Sequence, residues 1–136
     1  MTHFIYYIKL TYKTFNFKVL IDSGAQISII LPNMVRFLGL QMERESSYVN
    51  GVGKGKIIGS INQCKIQVLI NFKVLQTDVD KNMTILGLDF LEKYKCIINC
   101  VTKSLLIKNY NVKFLTTKEL IQYKLPIDHK KLFFKK

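Results

Sequence analysis

Asp22 stands directly behind the apolar run Phe17-Lys18-Val19-Leu20-Ile21 and opens the tetrapeptide Asp22-Ser23-Gly24-Ala25. A carboxylate placed where a buried strand ends in a tight turn is costly unless it is paired, hydrogen-bonded or used as an acid or base. Ser23 offers a short hydroxyl for local bonding, Gly24 permits a sharp turn, and Ala25 leaves room around the acid. Apolar residues follow as well as precede, at Ile27, Ile29, Ile30 and Leu31. The same four residues also read as a surface Asx turn that ends a strand. Two further segments bear on that choice. Residues Ile85-Leu86-Gly87-Leu88-Asp89-Phe90-Leu91 form a second apolar strand that runs into glycine and a helix-compatible stretch, which by itself is an ordinary strand-to-helix turn. Between the two, residues 48–59 read as two β-type runs joined by a glycine-rich tip, hence a mobile hairpin. That tip matches neither the G-x-x-x-x-G-K-[ST] pattern nor a G-x-G-x-x-G opening a helix, so phosphate binding is a poor reading.

The elements that must hold these residues are mainly β. Phe4–Leu10 and Phe15–Ile21 pattern as a hairpin around Thr11-Tyr12-Lys13-Thr14, and the second strand delivers Asp22 to its turn. Pro32–Leu38 fits a short helix, with proline in its first turn and Gly39 closing it. Tyr48–Val52 and Lys56–Ile70 are the arms of the hairpin, and Asn71-Phe72 turns the chain into Lys73–Val79. Met83–Leu86 enters the Gly87 element, and Asp89–Tyr94 is the clearest helix. Short β segments follow at Cys96–Cys100, Leu105–Ile107 and Val112–Leu115. Leu125-Pro126 interrupts the remaining pattern, and lysines gather at Lys130-Lys131 and Lys135-Lys136. The chain divides into one domain over residues 1–117 and a basic tail over 118–136.

A chain of 136 residues is one domain, long enough to bury a core. Its 49% hydrophobic and 22% charged content is that of a folded globular chain. No apolar run approaches the ~20 residues that span a bilayer, and the start lacks a basic region and a small-residue cleavage site. Three cysteines, Cys64, Cys96 and Cys100, make no regular disulfide framework and favour a reducing compartment. Cys96 and Cys100 resemble half a metal site, but His3 and His129 are remote and no second pair exists. Buried thiols are the better reading, with no metal and no cofactor. The net charge of +12, with aromatics interleaved, could serve nucleic acid, yet no binding motif accompanies it. A solvated lysine-rich surface is the reading favoured here.

Asp22-Ser23-Gly24-Ala25-Gln26, then Asn50-Gly51-Val52-Gly53 with Lys56-Ile57-Ile58-Gly59, then Ile85-Leu86-Gly87-Leu88-Asp89-Phe90-Leu91 closely resemble the retropepsin-like aspartic protease domain of the DNA-damage-inducible proteins. The resemblance covers roughly residues 4 to 117. Gln26 stands where many viral relatives have a second acid, and Leu88 where they often have arginine, so the ion pair those residues make is missing here. The resemblance implies a retropepsin-like single-lobe β-barrel with one short helix near Gly87, forming a twofold homodimer. It implies Asp22 as the catalytic residue, supported by Ser23, Gly24 and Ala25. Asn50, Gly51, Val52, Gly53, Lys54 and Gly55 become a flap that closes over an extended peptide. The family consists of ubiquitin-receptor shuttles, which brings in polypeptide substrates, ubiquitinated proteins among them, and a cytoplasmic location extending to the nucleus. Its usual ubiquitin-like and ubiquitin-associated domains do not fit beside the protease in 136 residues.

Acid–acid hydrolysis of a peptide bond needs two carboxyl groups about 3 Å apart sharing one proton. This chain supplies one in the right loop, because Asp78, Asp80, Asp89 and Asp128 lack a comparable glycine-containing frame. A twofold dimer supplies the second. A retroelement polyprotein protease, and a non-catalytic dimerisation or peptide-binding module on the same fold, are the alternative functions.

Overall fold

The computed structural model describes residues 6–49, 55–77, 83–123 and 132–135. Strands β1 (Tyr6–Tyr12) and β2 (Phe15–Ile21) form an antiparallel hairpin in which Tyr12 faces Phe15 across a two-residue turn. That turn is tighter than the four residues the sequence pattern assigns to it. Period-two alternation sends Ile8, Leu10, Phe17, Val19 and Ile21 into the core. After the Asp22 turn come β3 (Ile29–Ile30) and helix α1 (Pro32–Leu38), which buries Met34, Val35 and Leu38. Proline sits in the first turn of α1 and Gly39 caps its end, as the sequence predicts.

Strands β4 (Gln41–Val49) and β5 (Gly55–Ile66) are the arms of the long hairpin. The outer arm begins at Gln41, several residues before the predicted Tyr48. The expected flap residues Asn50, Gly51, Val52, Gly53 and Lys54 lie outside the described residues, and Gly55 opens β5. Strand β6 (Val68–Gln76) follows a turn at Gln67, whose φ is 60°, with Ile66 paired to Val68. The expected turn at Asn71-Phe72 is therefore wrong. Phe72 is among the largest fully buried side chains, and the Asn71 side chain accepts a hydrogen bond from the Gln63 backbone N–H at 2.6 Å where β5 shifts register. Asparagine there reads as a turn former but serves an irregularity on the neighbouring strand.

Strand β7 (Thr84–Leu86) leads into α2 (Leu88–Lys93). Strands β8 (Ile97–Asn99), β9 (Ser104–Ile107) and β10 (Tyr110–Lys113) make a separate three-stranded antiparallel sheet, ordered β10-β9-β8. Helix α3 (Thr117–Leu120) begins with a Thr116/Glu119 capping box and runs into a 3-10 turn at Ile121–Tyr123. Strand β11 (Phe133–Phe134) pairs in parallel with β4.

The main sheet is ordered β1-β2-β7-β3-β6-β5-β4-β11 and is open, which corrects the expected barrel. Its two ends do not meet. The outer edge of β1 is bridged instead by Phe114, and the Leu115 N–H donates to the Tyr7 carbonyl at 2.7 Å. The described residues hold the two helices the sequence pattern places at Pro32–Leu38 and beside Gly87, and add a short helix at Thr117–Leu120 with a 3-10 turn. The fold is mainly β, as the sequence indicates.

Burial pushes the Cys64 and Cys96 thiols up to about 11 from an ordinary 9.0. Folding therefore favours their neutral forms. The stability this contributes is complete below pH 9 and is lost as pH rises through about 11. The melting temperature should fall between those values, with a shallower slope in Cys64→Ala. In the native protein iodoacetamide should modify exposed Cys100 first, with Cys64 and Cys96 following slowly. Equal labelling rates by mass spectrometry would contradict the burial of these thiols.

Candidate active site

Strand β7 is held between the two strands that flank the Asp22 loop. It runs parallel to β2, pairing Leu20 with Ile85 and Ile21 with Leu86, and antiparallel to β3, pairing Ile29 with Ile85. The loop from Asp22 to Ser28 thus wraps around the end of β7. Asp22 donates its backbone N–H to the Leu86 carbonyl at 3.0 Å, and its own carbonyl accepts from the Ala25 N–H at 3.2 Å. Carboxylate Oδ1 accepts from the Gly24 N–H at 2.9 Å. A β-carbon at position 24 would lie 3.1 Å from that oxygen, so glycine allows the close approach. Asp22 is half-buried: it is held by backbone donors yet reachable from solvent.

Gly87 closes the loop from behind. A β-carbon there would sit 2.5 Å from the Ile27 carbonyl oxygen and 2.7 Å from that of Ala25. The next two N–H groups reach into the loop as well. Leu88 donates to the Ala25 carbonyl at 2.7 Å and Asp89 to the Gln26 carbonyl at 3.1 Å. Positions 26 and 88, which lack an ion pair, are therefore joined to this loop through main-chain bonds.

Ser28 and Asp89 complete the frame, and the sequence reading missed both. Ser28 is 1% exposed. Its hydroxyl donates to Asp89 Oδ1 at 2.7 Å and accepts from the Gly87 N–H at 3.0 Å. Asp89 Oδ1 also accepts from the Phe90 N–H at 2.8 Å, at the start of α2. Ser28 thereby ties the Asp22 loop to the Gly87 turn across 61 residues of sequence. The available signal was a lone serine inside the run Ile27-Ser28-Ile29-Ile30, since a buried hydroxyl needs a partner.

The supporting residues of the loop divide in two. The Gly24 N–H binds the carboxylate and Ala25 ties the loop to itself and to Leu88. Ser23 is exposed, and its hydroxyl has no partner among the described residues. Beside the loop lies a small apolar cluster of Ile29, Leu31, Ile57 and Leu75, with Ile27, Met83 and Ile85 half-buried against it. Among the described residues, no group of three or more His, Cys, Asp or Glu side chains could hold a metal ion.

Comparison with known proteins agrees with this geometry. The family model described as aspartyl protease matches residues 1–99. DNA damage-inducible protein 1 of Candida glabrata is 30% identical over 122 residues, covering 84% of this chain and 28% of that protein. The Cryptococcus neoformans protein of the same name is 34% identical over 112 residues, covering 76% and 25%. The chain thus spans about a quarter of the length of these relatives. The crystal structure of the retroviral protease-like domain of Ddi1 from Leishmania major matches with a TM-score of 0.72 at 27% identity. That match covers 88% of this chain and all of the other. A retropepsin-like aspartic protease from Rickettsia conorii shares the fold, with a TM-score of 0.52 at 22% identity over 70% of this chain and 84% of that one.

Proposed function

Because this chain belongs to the aspartyl protease family, we propose that it is an aspartic endopeptidase of retroviral type, active as a homodimer with one Asp22 from each subunit. The observation that carries this reading is a half-buried carboxylate fixed by the Gly24 N–H in a loop that β7 and Gly87 lock from behind. One such carboxylate per chain is half of what the chemistry needs. In the dimer one Asp22 takes a proton from the attacking water, and its partner hydrogen-bonds or protonates the developing oxyanion. The Ser23 hydroxyl is exposed and can bond to the second subunit.

The second sheet supplies support for association. Among the described residues β8 pairs on one side only; its Ile97 is 56% exposed and Val101, in the turn after it, 92%. An unpaired edge carrying large apolar side chains is a ready template for another chain. The apolar cluster around Ile27, Met83 and Ile85 supports extended segments with apolar side chains as substrates. The flap over residues 50–55 would close on them and donate backbone bonds, in the manner of strand addition. The family resemblance adds ubiquitinated proteins as a substrate class and the cytoplasm and nucleus as locations.

Sedimentation velocity tests the assembly. Wild type and Asp22→Asn should both sediment at twice the mass of one chain, because the charge of the acid does not hold the subunits together. Peptide cleavage by a species that remains a monomer at high micromolar concentration would overturn the shared site.

A further inference from the structure

We propose that the outer edge of β4 is a strand-docking site for a short basic segment of the Leu-Phe-Phe-Lys kind, filled in this chain by its own residues 132–135 as a releasable strap. Four observations meet there. Phe133 and Phe134 lie in parallel register with Gln41 and Met42, and the Lys135 N–H donates to the Met42 carbonyl at 2.9 Å. Leu132 and Phe134 pack half-buried against the main core. The Arg44 guanidinium stacks on the Phe134 ring at 3.9 Å from its centroid. Lys135 Nζ stands 3.9 Å from Glu43 Oε1, so the charges of strap and edge are complementary.

The site reads more than backbone. Phe134 is one wall of an open cavity of about 580 Å³ whose other lining residues are Arg44, Glu45, Ser46, Lys56 and Ile58. Glu45 is already held by Lys73 at 2.7 Å, which leaves Arg44 turned to the aromatic ring. An aromatic side chain followed by a cation fits this groove, the first against Arg44 and the second near Glu43. The attachment is also slight enough to release. Two residues are in register, and the ion pair is exposed on both sides and therefore weak.

Strand β4 is the outer arm of the hairpin that bears residues 50–54, so a strand on its free edge stiffens that arm. Any catalytic consequence rests on the protease reading and acts through the paired strands β4 and β5. The docking itself does not depend on that reading.

The test uses the full-length chain carrying Phe134→Ala with Lys135→Pro, which removes the ring and the donated N–H while leaving β4 intact. Native-state hydrogen exchange over residues 41–44 should become about tenfold faster than in wild type, with the melting transition of the main sheet retained. A fluorescein-labelled peptide of residues 132–136 should then bind the variant, raising its anisotropy and restoring slow exchange. It should not bind wild type, whose site is filled, and the same peptide with alanine for its second phenylalanine should fail on both. Unchanged exchange in the variant, or refusal of the peptide, would overturn the site. Protection over 41–44 that grows with protein concentration would assign the strap to a second copy and overturn the docking within one chain. None of these readouts involves peptide cleavage, so a protein without peptidase activity would still pass.

Discussion

On the protease reading, Asp22→Asn should lower the rate of peptide cleavage by at least ~10²-fold, the low end for loss of general acid–base help. The substitution keeps the shape of the side chain. The amide oxygen can still accept from the Gly24 N–H, which binds Oδ1 at 2.9 Å. The loop bonds from Asp22 to Leu86 and from Ala25 to Asp22 are main-chain and do not sense the change. What is lost is the capacity to take and return a proton. In a homodimer both acids change at once, so the fall should appear in kcat with little change in KM. The wild-type rate should decline on both sides of an optimum pH. A pair that is fully protonated has no base, and one that is fully ionised has no acid. A variant as active as wild type on every peptide tested, or a flat pH profile, would make the carboxylate structural.

Gly87→Ala destabilises the fold by about 3 kcal/mol or more, at the upper end of the cost of overpacking. The added methyl would lie 2.5 to 2.7 Å from the carbonyl oxygens of Ile27 and Ala25. Those are backbone atoms, and both carbonyls belong to the loop that presents Asp22, so no flexible side chain can yield. Relief requires moving β7 or the loop, which breaks the Leu88–Ala25 and Asp89–Gln26 bonds and the Ser28 contacts with Gly87 and Asp89. A domain of this size should lose on the order of 10 °C in melting temperature. Activity should fall further than stability alone explains, since the displaced segment carries the acid. A thermal transition within a degree of wild type would show that the loop accommodates the methyl.

Much of the site was legible because its signals are local. The acid behind an apolar strand, the glycine two residues on, and the apolar strand ending at Gly87 can each be read within a few residues. The helix at Pro32–Leu38 was legible for the same reason, since proline and Gly39 mark its ends. What escaped depends on partners far away in sequence. Ser28 and Asp89 are ordinary residues until the fold brings them within 2.7 Å. Asp89 lacks a glycine frame of its own, and its role is to accept a hydrogen bond from Ser28 at the end of the Asp22 loop. The turn at Gln67 was hidden because glutamine rarely marks a left-handed turn, while Asn71-Phe72 offered a stronger but misleading signal. The open sheet and the strap on β4 depend on which edges find partners, and hydrophobic periodicity does not encode that.

The insertion of β7 between β2 and β3 sets an order of events during folding. Asp22 is synthesised before the strand that gives its loop a shape, which follows more than sixty residues later. Until residues 84–91 arrive, β2 and β3 have no strand between them, and the carboxylate loop has neither the Leu86 acceptor nor the Gly87 turn to close on. The pairing is parallel to β2 and remote in sequence, which makes it one of the slower contacts to form. Local contacts such as the β1–β2 hairpin are expected to form before it, and the Asp22 loop to be set once β7 has paired. For a subunit that would cut polypeptides, this delays the appearance of chemistry until the chain that bears it has folded.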